Sequence, residues 1–188
     1  MTILVNYYTC SYGDSLVNMF SGNPVKRDKG HATCVFKGFI EPSYYVDVKK
    51  QQQIQQQFKD SGLTVAPCHR QNHHDFAWLP DVRIVTVLVD DVKILTNRFQ
   101  YVHFNQHKKT FGNAELNKIL FRRPDLAPQL IEKDYKIWVS NNLLSNDIIF
   151  NLSWVHTPDV VETFCKQHKL HYNIDWINNI VKDMKQYV

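Results

Sequence analysis

The sequence lacks the features of membrane, secreted and disulfide-stapled proteins. None of its apolar runs approaches the roughly 18 residues that a membrane-spanning helix needs. Its N-terminus has no basic start, long apolar stretch or small-residue cleavage site of the kind found in signal peptides. The four cysteines are scattered and form no C-x-x-C pair. We therefore expect reduced thiols, no membrane segment and a cytoplasmic location.

The sequence also lacks a concentrated run of basic residues. It has 22 Lys and Arg against 18 Asp and Glu, a formal net charge of +4 at pH 7. This mild excess permits an anionic ligand such as a nucleotide, but it argues against a nucleic-acid partner. Hydrophobic residues make up 44% of the 188 residues and charged residues 21%, as in soluble globular proteins. The length predicts one domain, residues 1–188.

Two apolar runs predict buried strands that are each followed by a helix. Residues 3–8 lead through a small-residue loop into a helix that begins near Ser15. Residues 82–89 are rich in β-branched side chains, and the helix that starts near Val92 has Asp90 or Asp91 as its N-cap. Residues 63–66 predict a shorter strand that ends at Pro67. Alternating strands and helices indicate an α/β fold with a mainly parallel sheet flanked by helices.

The remaining segments are predicted mainly as helices. The glutamine-rich residues 49–59 read as a polar surface helix with Ile54 and Phe58 on one face. Further helices are expected in 114–120 and 128–133, and a short strand in 136–140. Thr157 and Pro158 are typical of a helix start. The last helix carries a core-facing stripe made of Ile177, Ile180, Val181, Met184 and Val188.

The loop after the first strand has the frame of a phosphate-binding loop but not its usual chemistry. In the Walker pattern Gly13 takes the second glycine position, Ser15 the serine position and Asp14 the position of the lysine. An aspartate there would repel a phosphate, so ordinary ATP or GTP hydrolysis is not expected. The alternative is a plain strand-to-helix turn at Gly13 that Asp14 or Ser15 caps.

Three segments together resemble the sulfotransferase family. Residues 63–104 resemble its central part, in which a strand ends in a Lys-Thr-His motif and a second strand leads through a short turn into a helix. Residues 8–15 resemble its loop for the 5′-phosphosulfate, and residues 149–170 resemble its later strand and helix. The resemblance covers most of the chain at the level of a fold pattern. It implies a P-loop sulfotransferase-like three-layer sandwich.

The resemblance also implies functional positions. His69 matches the general base that takes the proton of an acceptor hydroxyl, and the implied cofactor is 3′-phosphoadenosine 5′-phosphosulfate. Ser11, Gly13 and Ser15 in the loop match cofactor-binding positions of the family. Asn97 on the following helix lies at another cofactor-binding position, where the family has a serine. Cys10, Pro67 and Val89 stand where the family carries two lysines and the arginine for the 3′-phosphate, so the usual cations are missing. The basic residues available as substitutes are Lys108, Lys109, Arg122 and Arg123.

Two hypotheses of different classes follow from this resemblance. The first is a divergent sulfotransferase-like enzyme that transfers a sulfuryl group from a nucleotide donor to a hydroxyl acceptor. The second is a noncatalytic structural or interaction protein with protein partners in an assembly. The chain resembles short sulfotransferase-like proteins of tailed bacteriophages, which would make it a virion component located in the host cytoplasm or the virion.

The histidines near position 70 have three interpretations. His69, His73, His74 and Asp75 form the densest set of potential metal ligands in the sequence. Adjacent histidines at 73 and 74 are not a standard zinc spacing, so we expect no metal site. The other two interpretations are a general base at His69 and a set of solvated or capping histidines. For Cys68, a small buried thiol is expected rather than a nucleophile.

Overall fold

The residues that the computed structural model describes form six strands, and four of these form one parallel sheet. In chain order they are β1 (Thr2–Tyr7), β2 (Arg27–Asp28), β3 (His31–Ala32), β4 (Val65–Cys68), β5 (Val82–Leu88) and β6 (Ile148–Asn151). The parallel sheet has the order β4-β1-β5-β6, and β2 and β3 form a separate antiparallel pair. The structure describes residues 1–8, 11–23, 27–28, 31–32, 47–62, 64–68, 76–106, 118–120 and 122–186, with the backbone alone at 27–28, 31–32 and 101–106.

Six helices accompany the strands in this part of the chain. They are α1 (Gly13–Phe20), α2 (Val48–Ser61), α3 (Val92–Gln106), α4 (Ala127–Asn142), α5 (Pro158–His168) and α6 (Ile174–Lys185). Residues 118–120 are also helical, and short 3₁₀ turns lie at Pro124–Leu126 and Leu152–His156. Among the described helices, none combines the length and apolar character required to cross a membrane. The prediction of an α/β fold with a parallel sheet flanked by helices is confirmed.

The strand register divides the core into two clusters. Leu4 lies beside Ala66 on β4 and Ile84 on β5, and these three pack with Ile54 and Phe58 of α2. The alternate strand positions belong to the larger cluster, together with side chains of α1, α5 and α6; they are Ile3, Val5, Val65 and Val85. Side chains of a strand alternate between the faces of a sheet, so α2 covers one face and these other helices cover the opposite one.

The apolar periodicity that predicted α2 and α6 corresponds to their buried faces. Ile54 is 0% exposed and Phe58 8%, on an otherwise polar helix. In α6, Ile177, Ile180 and Met184 are buried and Val181 is half-buried, while Val188 lies outside the described residues. The Asp91 side chain accepts a hydrogen bond from the Lys93 N–H at 2.9 Å, as expected for the N-cap of α3.

Two local predictions need correction. The strand expected in 136–140 is wrong, because these residues continue α4, where Ile131 and Tyr135 repeat at the helical spacing and are buried. The strand expected to end at Pro67 continues to Cys68, since β4 is an edge strand of the described sheet and an edge position tolerates the missing N–H.

The helix start predicted at Thr157 and Pro158 is confirmed, because α5 begins at Pro158 with Thr157 as its N-cap residue. The Thr157 carbonyl accepts the first hydrogen bonds of the helix, and its hydroxyl forms no capping bond.

Candidate functional site

The candidate site is the loop that joins β1 to α1 at the carboxyl edge of the sheet. β1 lies between β4 and β5 in the sheet. After β1 the chain first forms β4 on one side of β1 and then forms β5 on the other side. In open parallel sheets such a reversal of strand order creates a crevice at the carboxyl ends of the strands, where ligands bind. The loop after Tyr7 therefore occupies the position in this fold that favours a ligand.

The start of α1 leaves backbone donors available. Tyr12 precedes the helix in the left-handed region, with φ of 61°, and its side chain forms no capping bond. The first helical hydrogen bond runs from the Leu16 N–H to the Tyr12 carbonyl at 3.1 Å. Among the described residues, the N–H groups of Gly13, Asp14 and Ser15 have no acceptor. Three donors and the positive end of the helix dipole therefore lie together at this point.

Gly13 is required by a close approach of the Tyr7 ring. A Cβ added at Gly13 would lie within 3.0 Å of three ring carbons of Tyr7, closer than real Cβ atoms come. The Tyr7 hydroxyl donates a hydrogen bond to Oδ1 of Asp14. The ring thus links the end of β1 to the first turn of α1, and the Asp14 carboxylate already places one negative charge beside the helix N-terminus.

Arg98 brings a cation to the loop. Its guanidinium carbon lies 3.7 Å from the centre of the Tyr12 ring, in the stacked geometry of a cation–π contact. Arg98 is on α3 and follows Asn97, the position that the resemblance assigned to the cofactor site. The sequence analysis did not identify Arg98 as a cation beside this loop. A guanidinium stacked by its face directs its N–H groups away from the ring rather than into it.

The predicted site residues occupy different environments. Ser11 is fully buried, and its hydroxyl donates a hydrogen bond to the Tyr8 carbonyl at 2.5 Å, a contact within the loop. Ser15 is 8% exposed, and its hydroxyl forms no hydrogen bond within the described part of the chain. Asn97 is half-buried on α3. His69 and Cys10 lie outside the described residues, as do His73, His74, Asp75, Lys108 and Lys109.

The position expected to hold the 3′-phosphate is apolar and closed. Val89 is 5% exposed and belongs to the larger core cluster. Its N–H donates to the Tyr135 hydroxyl at 2.7 Å, so neither its side chain nor its backbone donor is available to a ligand. Arg123, one of the substitute cations, is exposed and pairs with Asp125 at 2.7 Å.

Aromatic side chains from α4 line the neighbouring end of β1. The Tyr8 ring meets Tyr135 edge to face at 5.3 Å and Trp138 at 5.8 Å, and its hydroxyl donates to Asp134 at 2.7 Å. Burial raises the pKa of Tyr135, and the charge of Asp90 adds to the effect. Tyr135 is therefore a neutral hydroxyl at physiological pH and holds the end of β5 through Val89. No sequence signal links Tyr8 to α4, because the contact spans more than a hundred residues.

Both cysteines among the described residues are buried. Cys68 and Cys165 form no disulfide, and the burial of Cys68 confirms the expectation of a small buried thiol at that position. Burial raises the pKa of Cys165 to about 12, with a smaller contribution from Glu162. Within the described residues, no group of three or more histidine, cysteine or acidic side chains is arranged to hold a metal ion.

No protein-family model matches the sequence, and no curated protein matches it significantly.

Proposed function

We propose that this chain binds the phosphate group of a nucleotide at the β1–α1 loop, as a divergent protein of the P-loop sulfotransferase-like class. The observation that carries the proposal is that backbone N–H groups and an arginine side chain lie together at the start of α1. The uncapped N–H groups of Gly13, Asp14 and Ser15 lie at the positive end of α1, and the Arg98 guanidinium covers the residue that precedes them. Backbone donors, a helix dipole and one arginine are the elements of a phosphate site.

Asp14 determines how strong this binding is. Its carboxylate lies in the first turn, where it interacts favourably with the helix dipole and competes with an incoming anion. The Tyr7 hydroxyl holds one of its oxygens and takes up part of its charge. We therefore expect weak binding in the parent chain, and tighter binding when the charge of Asp14 is removed.

Calorimetry on the whole chain tests the proposal with adenosine 3′,5′-bisphosphate and adenosine 5′-monophosphate as probes. Asp14→Asn should tighten binding by about 3- to 10-fold, and Arg98→Gln should weaken it by roughly 10-fold or more, since charge-assisted hydrogen bonds contribute about 1.5–3 kcal/mol. Arg123→Gln is the matched control, because that arginine is exposed and paired elsewhere. The two nucleotides should bind within about 3-fold of each other, because Val89 offers the 3′-phosphate no donor.

Two results would refute nucleotide binding at this loop. One is the absence of binding in Asp14→Asn, in which the competing charge has been removed. The other is an equal effect of Arg98→Gln and Arg123→Gln. A much tighter affinity for the bisphosphate than for the monophosphate would instead refute the expected weakness of the 3′-phosphate subsite.

Sulfuryl transfer is the activity proposed for this site, on the strength of the resemblance. The acceptor hydroxyl oxygen would form a bond to sulfur while the bond from sulfur to the phosphate oxygen of 3′-phosphoadenosine 5′-phosphosulfate breaks. The products are a sulfate ester and adenosine 3′,5′-bisphosphate, and the hydroxyl proton passes to His69. His69→Ala should lower turnover by roughly 10²–10⁴-fold without affecting nucleotide binding. Equal turnover in this variant would remove His69 as the base.

A noncatalytic interaction protein is the second candidate, and the apolar surroundings of Val89 favour it. A family that binds a multiply charged nucleotide needs a cation where this chain places a buried valine. On this proposal the fold serves an assembly, of which a phage virion is the example suggested by the resemblance. Failure of both Asp14→Asn and the parent chain to bind either nucleotide would favour this candidate over the first.

A further inference from the structure

A second cavity lies at the opposite end of the sheet from the β1–α1 loop. Its volume is about 300 Å³, and its walls include Arg83 and Ile84 at the start of β5, Asn146, Asp147 and Ile148 at the start of β6, and His168. β5 is seven residues long, which at about 3.3 Å per residue separates its two ends by roughly 20 Å. This cavity is therefore distinct from the candidate nucleotide site.

Two basic side chains of this cavity form no hydrogen bond or ion pair with the residues that the structure describes. Arg83 is exposed, and it forms no ion pair or hydrogen bond with any residue that the structure describes. His168 is the last residue of α5, and its ring lies 4.6 Å from that of Phe164. Its imidazole forms no hydrogen bond within the described ranges either. The two groups line one cavity, and their donors have no acceptor among the described residues.

Asp147 gives the cavity an acceptor of fixed orientation. Its Oδ2 accepts from the Thr86 hydroxyl at 2.7 Å and from the Leu144 N–H at 3.3 Å. Thr86 is fully buried in β5, so the carboxylate is tied to the sheet. A carboxylate has about four acceptor positions, so it can also accept a proton from a ligand. It would repel an anion that carries no such proton.

We infer that this cavity binds a small oxyanion that also carries a hydroxyl proton, as dihydrogen phosphate does, with Arg83 and His168 as donors and Asp147 as the acceptor. A guanidinium and an imidazole together supply the charge-assisted hydrogen bonds that an oxyanion needs. The carboxylate selects for a protonated anion over one that has only acceptors. The inference is independent of nucleotide binding at the β1–α1 loop.

Binding at this cavity must be linked to the charge of His168. Burial lowers the pKa of His168, and the positive charge of Arg83 lowers it further. The charged groups that face it across the cavity are Arg83 from β5 and Asp147 before β6. An anion bound beside the ring stabilises the imidazolium and so raises its pKa. By linkage, the anion binds more tightly as the pH falls and His168 becomes protonated.

Histidine NMR on the whole chain tests this inference with inorganic phosphate as the probe. The His168 signal is assigned by its loss in His168→Asn, and the ionic strength is kept constant with chloride. Phosphate at about pH 6, where the monoanion is abundant, should shift the His168 signal and raise its pKa by about half a unit or more. Sulfate, which has no proton to donate, should bind several-fold more weakly. The signal of exposed His171 should not move.

Matched variants show whether the effect belongs to this cavity. Arg83→Gln should weaken phosphate binding about 10-fold, while Lys169→Gln, an exposed lysine next to His168, should leave it nearly unchanged. Arg98→Gln should not alter the response of His168, which separates this cavity from the β1–α1 loop. Asp147→Asn should shift the preference toward sulfate. If that variant does not fold, the ratio of phosphate to sulfate affinity in the parent chain tests the same selectivity.

The inference would be overturned by an unchanged His168 signal at saturating phosphate. Equal loss of affinity in Arg83→Gln and Lys169→Gln would also overturn it, since the effect would then be one of net charge. An affinity for sulfate equal to that for phosphate would exclude Asp147 as an acceptor, and the proposed selectivity would fail with it.

Discussion

Replacing Gly13 by alanine should destabilise the protein although its backbone accepts alanine. Gly13 is not among the residues with positive φ, and alanine is favoured over glycine in a helix by about 1 kcal/mol. The added methyl would nevertheless overlap the Tyr7 ring. This ring is 9% exposed at the end of β1 and tied to Asp14, so moving it disturbs the core and the hydrogen bond together.

The size of the effect follows from these two losses. Overpacking a buried site costs about 1–3 kcal/mol, and a hydrogen bond to a charged group contributes about 1.5–3 kcal/mol. After the gain in helix propensity is set against them, we expect Gly13→Ala to lower the free energy of unfolding by about 2–4 kcal/mol. Urea unfolding followed by circular dichroism measures this directly, provided that the dependence on urea keeps the same slope.

Two further variants separate the steric overlap with the Tyr7 ring from the other effects of replacing a glycine by alanine. Gly62→Ala is the control, because no atom lies within 4 Å of its added Cβ and only its positive φ of 64° opposes alanine. It should cost about 1–2 kcal/mol. In a Tyr7→Ala background the ring is gone, so Gly13→Ala should there be neutral or stabilising. An effect of Gly13→Ala below about 0.5 kcal/mol, or an equal effect in both backgrounds, would refute the steric argument.

Three further predictions concern groups buried within the sheet and its helices. Thr86→Val should lower the free energy of unfolding by about 1–3 kcal/mol, because Asp147 loses the hydroxyl that donates to its carboxylate. Thr86→Ser keeps this hydroxyl and should retain most of the stability in the same urea assay. Tyr135→Phe leaves the buried N–H of Val89 without its acceptor and should cost about 1–3 kcal/mol; a melting temperature equal to the parent's would contradict this. Burial raises the pKa of Cys165 from 9.0 to about 12, so its thiolate fraction at neutral pH is about 1000-fold lower than in an unfolded chain. Iodoacetamide should therefore alkylate it correspondingly more slowly in the folded protein, which mass-spectrometric mapping measures. Because the pKa is raised, the stability that the Cys165 thiol contributes is complete below about pH 9 and is lost as the pH rises from there toward 12. Alkaline unfolding of the parent chain and of Cys165→Ala should therefore differ in this pH range.

The sequence alone determined the elements that depend on short windows of residues. The continuous apolar runs in 3–8 and 82–89 predicted the two central strands, because strands covered on both faces have no polar side to display. Ile54 and Phe58 marked the buried face of α2. Asp90 or Asp91 marked the start of α3, where the structure has Asp91 as the capping residue. The alternation of strands and helices was enough to predict a parallel sheet, since parallel strands need long crossover connections.

Only the tertiary structure decided what lies beside the β1–α1 loop and at the far end of the sheet. Arg98 stacks on Tyr12, and Tyr8 bonds to Asp134, through the packing of α3 and α4 against the end of β1. Arg83 and His168 line one cavity because α5 returns to the strand that begins at Val82. The continuation of α4 through 136–140 was likewise decided by packing. Local propensity acts over a few residues, whereas these contacts depend on strand register and crossover paths that no short window contains.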